Sequence, residues 1–173
     1  RSPGTAQVRH VIRLPLGTAH FPVQVDCAAN PGFKPIASGG DGSAVQYWYV
    51  GYDPALETVI VGHQGTETNI LAILTDATFL MESLNATLFP GIPAGIEAHS
   101  GFANEHAKTA ETVLANVKQA LSITGFNKVT MVGHSLGAAI SLLDAVYLPL
   151  HLTGVKFQSI LYGMPRVGNQ AFA

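Results

Sequence analysis

A serine flanked by glycines stands about three quarters of the way along the chain, in the segment Gly133-His134-Ser135-Leu136-Gly137. It fits G-x-S-x-G, the pattern of a serine held on a sharp turn between a strand and a helix. Such a turn presents the hydroxyl to a substrate carbonyl. The amino terminus of the helix behind it favours the negative charge that develops during acyl transfer. The residue types therefore indicate a nucleophilic serine.

The motif alone is weak evidence, because a chain with this much glycine and serine contains a G-x-S-x-G match by chance about one time in ten. The neighbouring elements therefore decide whether it marks a nucleophile. Residues 128–134 have the apolar pattern of a buried strand, and the alanine-rich residues 135–148 have that of a helix. Gly133 and Gly137 leave room for a close approach of strand and helix. We therefore predict that Ser135 is the nucleophile at a strand-to-helix elbow.

The elements that must position this serine alternate between strand and helix. The patterns predict strands at 44–52, 56–63, 77–81, 128–134 and 155–163, and helices at 102–124 and 135–148. Gly125 is expected to end the first helix. This order is typical of an α/β fold, a mostly parallel sheet with helices on both faces.

The domain organisation is predicted to be simple, with residues 1–173 forming one domain. Residues 1–43, which contain several prolines and the turn-like run Ser38–Ser43, are predicted to be irregular cover. The run itself is expected to be a turn that enters a hairpin. Residues 44–173 then form the sheet core that carries the elbow.

The composition excludes several classes of protein. With 47% hydrophobic and 12% charged residues the chain can bury a core, and its nine basic residues form no stripe that would bind nucleic acid. The sequence contains no run of about 18 apolar residues, so no transmembrane helix is predicted. The start, RSPGTAQVRH, has neither Met nor an apolar signal core, which favours a processed or truncated terminus.

Four segments in the same order resemble the fungal class 3 lipases, an α/β-hydrolase family. They are VIVGHQGTETN (59–69), IEAHSGFANE (96–105), VTMVGHSLGAAISLLDAVYL and ILYGMPRVGNQAFA, and the similarity covers about residues 26–173. The resemblance implies an extracellular carboxylester hydrolase, in the first instance a triacylglycerol lipase, that acts on ester substrates at a lipid–water interface. It implies no metal and no organic cofactor.

The resemblance also implies roles for particular residues. Thr66 occupies the oxyanion position, where it supplies its backbone N–H and its hydroxyl, and Leu136 supplies the second N–H. Gln64 stands where most family members carry arginine. Residues 67–76 match the lid, a short amphipathic helix over the cleft. Their plain alternative is a surface helix that faces the core.

The base and the acid that would serve Ser135 are not evident from the residues. Asp144 is predicted to lie inside the helix after the elbow and to point away, and His151 to lie at the opposite end of the sheet. The remaining histidines are predicted to be structural or solvated: His10, His20, His63, His99, His106 and His134. The resemblance stops before the family places its catalytic Asp and His. We therefore expect the catalytic Asp and His to come from a C-terminal remainder of the same protein, which is either held as a second chain or missing. The sheet of this chain is then expected to be incomplete.

Several alternatives stay open. A feruloyl-type or mono- or diacylglycerol esterase shares the implied fold, and a non-catalytic lipid-binding fragment would keep the elbow for its fold alone. Cys27 is either a small buried thiol or half of a disulfide whose partner lies elsewhere. Asn85-Ala86-Thr87 is a glycosylation sequon, which matters if the protein is secreted.

Overall fold

The computed structural model describes residues 30–65 and 80–173, and Gly32–Ala173 form one compact unit. The described strands are β1 (Lys34–Gly39), β2 (Trp48–Asp53), β3 (Thr58–His63), β4 (Met81–Ser83), β5 (Glu97–His99), β6 (Lys128–His134) and β7 (Lys156–Tyr162). The described helices are α1 (Ser100–Ala107), α2 (Ala110–Thr124) and α3 (Leu136–His151). Among these residues, no helix is long and apolar enough to cross a membrane.

Five of the described strands form the main sheet, in the order β1-β2-β3-β6-β7. β1, β2 and β3 follow one another antiparallel, whereas β3, β6 and β7 run parallel. The carboxyl ends of the parallel strands therefore meet at one edge of the sheet, where His63, His134 and Tyr162 are the last strand residues. In open α/β sheets this edge carries the functional loops.

The core of this unit is made by apolar residues on the sheet and on the helices above it. Val59, Val61, Val129 and Met131 on β3 and β6 have no exposed surface. Helix α3 is buried along most of its length, which its apolar sequence predicts. The helix that starts at the elbow is therefore fixed against the sheet by packing over several turns.

Most predicted elements are confirmed. The hairpin of β2 and β3, the strand at Lys128–His134 and the strand at Lys156–Tyr162 lie where the patterns place them. The run Ser38–Ser43 does enter a hairpin, because Asp41 Oδ1 accepts the N–H groups of Ser43 and Val45 in the turn between β1 and β2.

The N-terminal part of the prediction is wrong in one respect. Lys34–Gly39 is a strand rather than irregular cover, and it pairs with β2. Pro35 obscured it in the sequence, since proline cannot donate to a ladder. Here the ladder is irregular between Pro35 and Ala37, and a proline is tolerated at such a bulge on an edge strand.

The predicted helix 102–124 is two helices, with a break at Lys108 and Thr109. The cause is tertiary. Lys108 Nζ donates to the carbonyl of Ala44, and Glu105 accepts the N–H of Gln46, so the end of α1 is tied to the segment before β2. Gly125 ends α2 in the left-handed conformation with φ 70°, as predicted. Of the predicted strand 77–81, only its last two residues lie in the described part, and β4 begins at Met81.

Candidate active site

Ser135 stands on the turn between β6 and α3 with φ 59° and ψ −122°. Such a conformation costs a non-glycine residue about 1–3 kcal/mol, so the surrounding structure must enforce it. Its N–H donates to the carbonyl of Tyr162 at 2.9 Å, and its own carbonyl accepts from Ala138 and Ala139. Strand pairing on one side and the first turn of α3 on the other thus hold the strained residue. The side chain is more covered than the prediction of an exposed hydroxyl implies, since Ser135 is 6% exposed.

The two glycines of the motif are required because a side chain at either position would overlap neighbouring backbone. A Cβ at Gly133 would overlap the carbonyl oxygen of Gly137, and a Cβ at Gly137 would overlap that of His63. The start of α3 therefore lies directly on the ends of β6 and β3. This is the close strand–helix approach that the sequence predicted.

The backbone beside Ser135 has an N–H at the amino terminus of α3, the kind of donor that stabilises an oxyanion. Leu136 is the first residue of α3, and its N–H has no acceptor inside the helix. Opposite it, a Cβ at Gly65 would lie 3.5 Å from Ser135 Cβ and 2.6 Å from the carbonyl oxygen of His134. The segment that leads into the predicted oxyanion loop thus lies against the elbow.

Several predicted features lie outside the described residues. Thr66, the predicted oxyanion residue, is one, and the predicted lid at 67–76 is another. The others are Cys27, His10 and His20. Of the three predicted site residues, Ser135 and Leu136, which are neighbours in the chain, lie in the described part.

Four of the five described histidines have hydrogen-bond partners other than Ser135. His99 Nδ1 accepts the N–H of Gly101 and caps α1. His151, in the last turn of α3, lies 2.8 Å from the carbonyl oxygen of Leu88. His134 is exposed beside Gly163. In the part of the chain that the structure describes, no histidine hydrogen-bonds to the Ser135 hydroxyl.

A buried cluster of Asp144, His63 and His106 is the feature that sequence reasoning missed. Asp144 Oδ2 lies 2.6 Å from His63 Nε2, and Asp144 Oδ1 lies 3.1 Å from His106 Nε2. All three side chains are almost completely buried. The two histidines, predicted to be structural or solvated, are buried and bound to Asp144, and this pairing was not foreseen. The available signal was an acid inside the apolar run SLLDAVYL, because a buried carboxylate needs a partner.

Asp144 is ionised in this cluster. Burial by itself would raise the pKa of the carboxyl group, but the charge of His63 and the hydrogen bonds from both histidines outweigh burial and hold that pKa well below its usual range. The carboxylate can therefore accept a hydrogen bond on each oxygen across the pH range in which proteins work.

Comparison with known proteins identifies the family of the chain. Residues 60–173 match the family model described as Lipase (class 3). The chain belongs to the class 3 lipase family. A secreted mono- and diacylglycerol lipase of Malassezia globosa is 33% identical to this class 3 lipase chain over 135 residues, which are 78% of the chain and 44% of that protein.

Solved structures agree with this assignment. A lipase from Rhizopus microsporus var. chinensis has a TM-score of 0.74 at 25% identity, over 87% of this chain and 51% of that one. A triacylglycerol lipase whose catalytic centre is formed by a serine protease triad has a TM-score of 0.71 at 27% identity, over 85% of this chain and 54% of that one. The fold is thus that of the α/β-hydrolases. The class 3 lipase chain spans about half the length of the curated relatives it matches.

Next to the elbow, this class 3 lipase chain presents an apolar surface at the end of β7. Within the described residues β7 pairs only with β6. Tyr162 is 59% exposed and Met164 43% exposed, and the carbonyl of Tyr162 is the acceptor for the N–H of Ser135. Exposed apolar side chains therefore lie at the end of β7, on the residue that is hydrogen-bonded to Ser135 and on one close to that residue in the chain.

Proposed function

We propose that the protein to which this chain belongs is a secreted acylglycerol lipase that uses Ser135 as its nucleophile. The observation that carries the proposal is the strained elbow, with Ser135 at φ 59° between β6 and the amino terminus of α3. Relatives named as secreted mono- and diacylglycerol lipases and structures named as triacylglycerol lipases support the substrate class and the extracellular location.

The elbow and the family resemblance support acyl transfer through an ester of Ser135. Ser135 Oγ attacks the ester carbonyl carbon, and its proton passes to a histidine. The oxyanion of the tetrahedral intermediate takes hydrogen bonds from the N–H of Leu136 and from Thr66. The glyceride alcohol leaves with the proton, and water then hydrolyses the acyl-enzyme to release the fatty acid.

The base and its acidic partner are proposed to come from a C-terminal remainder of the same protein. Two observations support this. Within the described residues no histidine hydrogen-bonds to the Ser135 hydroxyl, and the apolar end of β7 beside the elbow is exposed, where a further strand would pack. The related triacylglycerol lipase, which has a serine protease triad, shows that the same fold can house one.

Covalent labelling tests the nucleophile directly. We expect a fluorophosphonate to add once to the protein, and peptide mapping to place the adduct on Ser135, because an activated serine forms a stable phosphonyl ester. Intact mass spectrometry before and after treatment measures the adduct. A non-catalytic lipid-binding fragment would give no adduct, and an adduct on another residue would contradict the proposal.

Substrate assays separate the esterase alternatives. Hydrolysis of mono-, di- and trioleoylglycerol emulsions is compared with hydrolysis of soluble methyl ferulate. The proposal expects the acylglycerols to be preferred in kcat/KM. Preference for methyl ferulate would instead identify a feruloyl-type esterase.

Asn85 is proposed to be glycosylated when the protein is secreted. Asn85 and Thr87 are both exposed in a turn in which Asn85 Oδ1 accepts the N–H of Thr87. We expect the protein secreted by a yeast host to lose mass on treatment with a peptide N-glycosidase. Asn85→Gln should abolish this loss, whereas Thr87→Ser should retain it because the sequon survives. A wild-type mass equal to that of the bare chain would contradict the proposal.

A further inference from the structure

The buried cluster of His63, Asp144 and His106 joins the end of β3 to the helix of the nucleophile. His63 is the last residue of β3, and Asp144 lies on α3. Asp144 is nine residues beyond Ser135, so it lies about 13 Å further along the helix. The link from Asp144 to the end of β3 runs through His63.

His63 contacts α3 at two points. Its side chain is held by Asp144 Oδ2 at 2.6 Å, and its carbonyl oxygen lies so close to Gly137 that a Cβ there would overlap it. In the strand ladder His63 stands opposite Gly133, two residues before the nucleophile. The residue is thus fixed to both the strand and the helix that meet at the elbow.

Gln64 and Gly65 continue the chain from His63 and end the first described range. Gln64 donates its backbone N–H to the carbonyl of Tyr47 at 2.8 Å. Gly65 lies against Ser135 and has no side chain to anchor it. Because Gln64 and Gly65 follow His63 directly, His63 is one of the restraints that set the position of this backbone relative to the serine.

His106 completes the support of the carboxylate. It binds the second oxygen of Asp144 and packs against the rings of Phe89 and Tyr147, with centroid distances of 5.4 and 5.3 Å. Both Nε2 atoms already face the carboxylate. Within the described ranges no three His, Cys, Asp or Glu side chains are arranged to hold a metal ion. The geometry fits a support for the backbone rather than a ligand site.

We propose that His63, held by Asp144, is a positioning residue for the Gln64–Gly65 backbone that leads into the oxyanion loop. The inference rests on the proposed function, since it assigns the cluster to the stabilisation of the same tetrahedral intermediate. A displacement of about 1 Å near a reacting centre can lower the rate up to a hundredfold, so the cost of losing the link should appear in the chemical step.

The test compares His63→Leu with wild type in the full-length protein. We expect His63→Leu to lower kcat for p-nitrophenyl butyrate about tenfold with KM changed less than about twofold, because the oxyanion is stabilised only in the transition state. The inhibition constant of phenylethylboronic acid, whose tetrahedral adduct on the serine mimics that state, should rise about tenfold as well. His63→Gln keeps an N–H donor toward Asp144 and should recover most of both losses.

A matched control separates positioning from general destabilisation. Val117→Ala removes fully buried apolar atoms from α2, a helix that carries none of the three cluster residues. Urea unfolding measures the free energy of unfolding of both variants. Where Val117→Ala loses as much of it as His63→Leu does, Val117→Ala should still have the kcat of wild type and the wild-type inhibition constant for phenylethylboronic acid. If His63→Leu does not fold, Asp144→Asn, which keeps the shape of the cluster, is measured in its place.

The outcomes distinguish this inference from the proposed function. A wild-type protein that neither hydrolyses esters nor is labelled at Ser135 overturns both. An active wild type whose His63→Leu variant keeps its kcat, or loses only what Val117→Ala loses, overturns the inference alone. A parallel fall in kcat and in boronate affinity, restored by His63→Gln, supports it.

Discussion

We expect the Ser135→Ala variant to lose ester hydrolysis, with kcat lower by roughly 10⁴-fold or more. The reason is that no other group in the elbow can form the acyl-enzyme, while substrate binding and the oxyanion donors remain. The variant should fold as wild type does, because alanine occupies the same strained backbone with one polar atom fewer. Initial rates on p-nitrophenyl butyrate and on a glyceride emulsion measure the loss, and urea unfolding measures the stability.

Two companion variants make this result specific. Ser122→Ala, at an exposed position of α2, should keep full activity. Ser135→Gly should be as inactive as Ser135→Ala but more stable by about 1 kcal/mol, since glycine adopts φ 59° without a steric penalty. If Ser135→Ala retained more than a tenth of the wild-type rate, the nucleophile would lie elsewhere and the proposed mechanism would be wrong.

The part of the site that local sequence determines was predicted well. The elbow depends on a strand, a turn and a helix that are contiguous in the chain, so the apolar run 128–134 and the two glycines were enough to place Ser135. The end of α2 at Gly125 was likewise a local signal. Such features carry their own pattern in a few neighbouring residues.

The parts that were missed depend on contacts between distant residues. His63 and Asp144 are 81 residues apart, and His106 and Asp144 are 38 apart, so their spacing carries no periodic signal. The break between α1 and α2 follows from the bond of Lys108 to Ala44, 64 residues away. An apolar periodicity that continues across residue 108 cannot show this break, because tertiary contacts override local preference there.

A large effect on stability is expected at Gly137, where α3 lies on the end of β3. A Cβ in Gly137→Ala would overlap the carbonyl oxygen of His63 and lie 2.8 Å from the carbonyl carbon of Gln64. Both atoms belong to backbone that the sheet and the buried cluster hold in place. The helix must therefore move away from the strand.

We expect Gly137→Ala to lower the free energy of unfolding by about 1–3 kcal/mol, even though alanine favours a helix by about 1 kcal/mol over glycine. The kcat should fall by more than this loss of stability explains, because the same shift separates Ser135 and Leu136 from the Gly65 backbone. Gly32→Ala is the matched control, since a Cβ at Gly32 meets Asp53 at an ordinary 3.5 Å, and its unfolding free energy should stay within about 0.5 kcal/mol of wild type. Urea unfolding and initial rates on p-nitrophenyl butyrate measure both variants. A Gly137→Ala protein as stable and as active as Gly32→Ala would show that helix and strand do not meet as closely as the elbow requires.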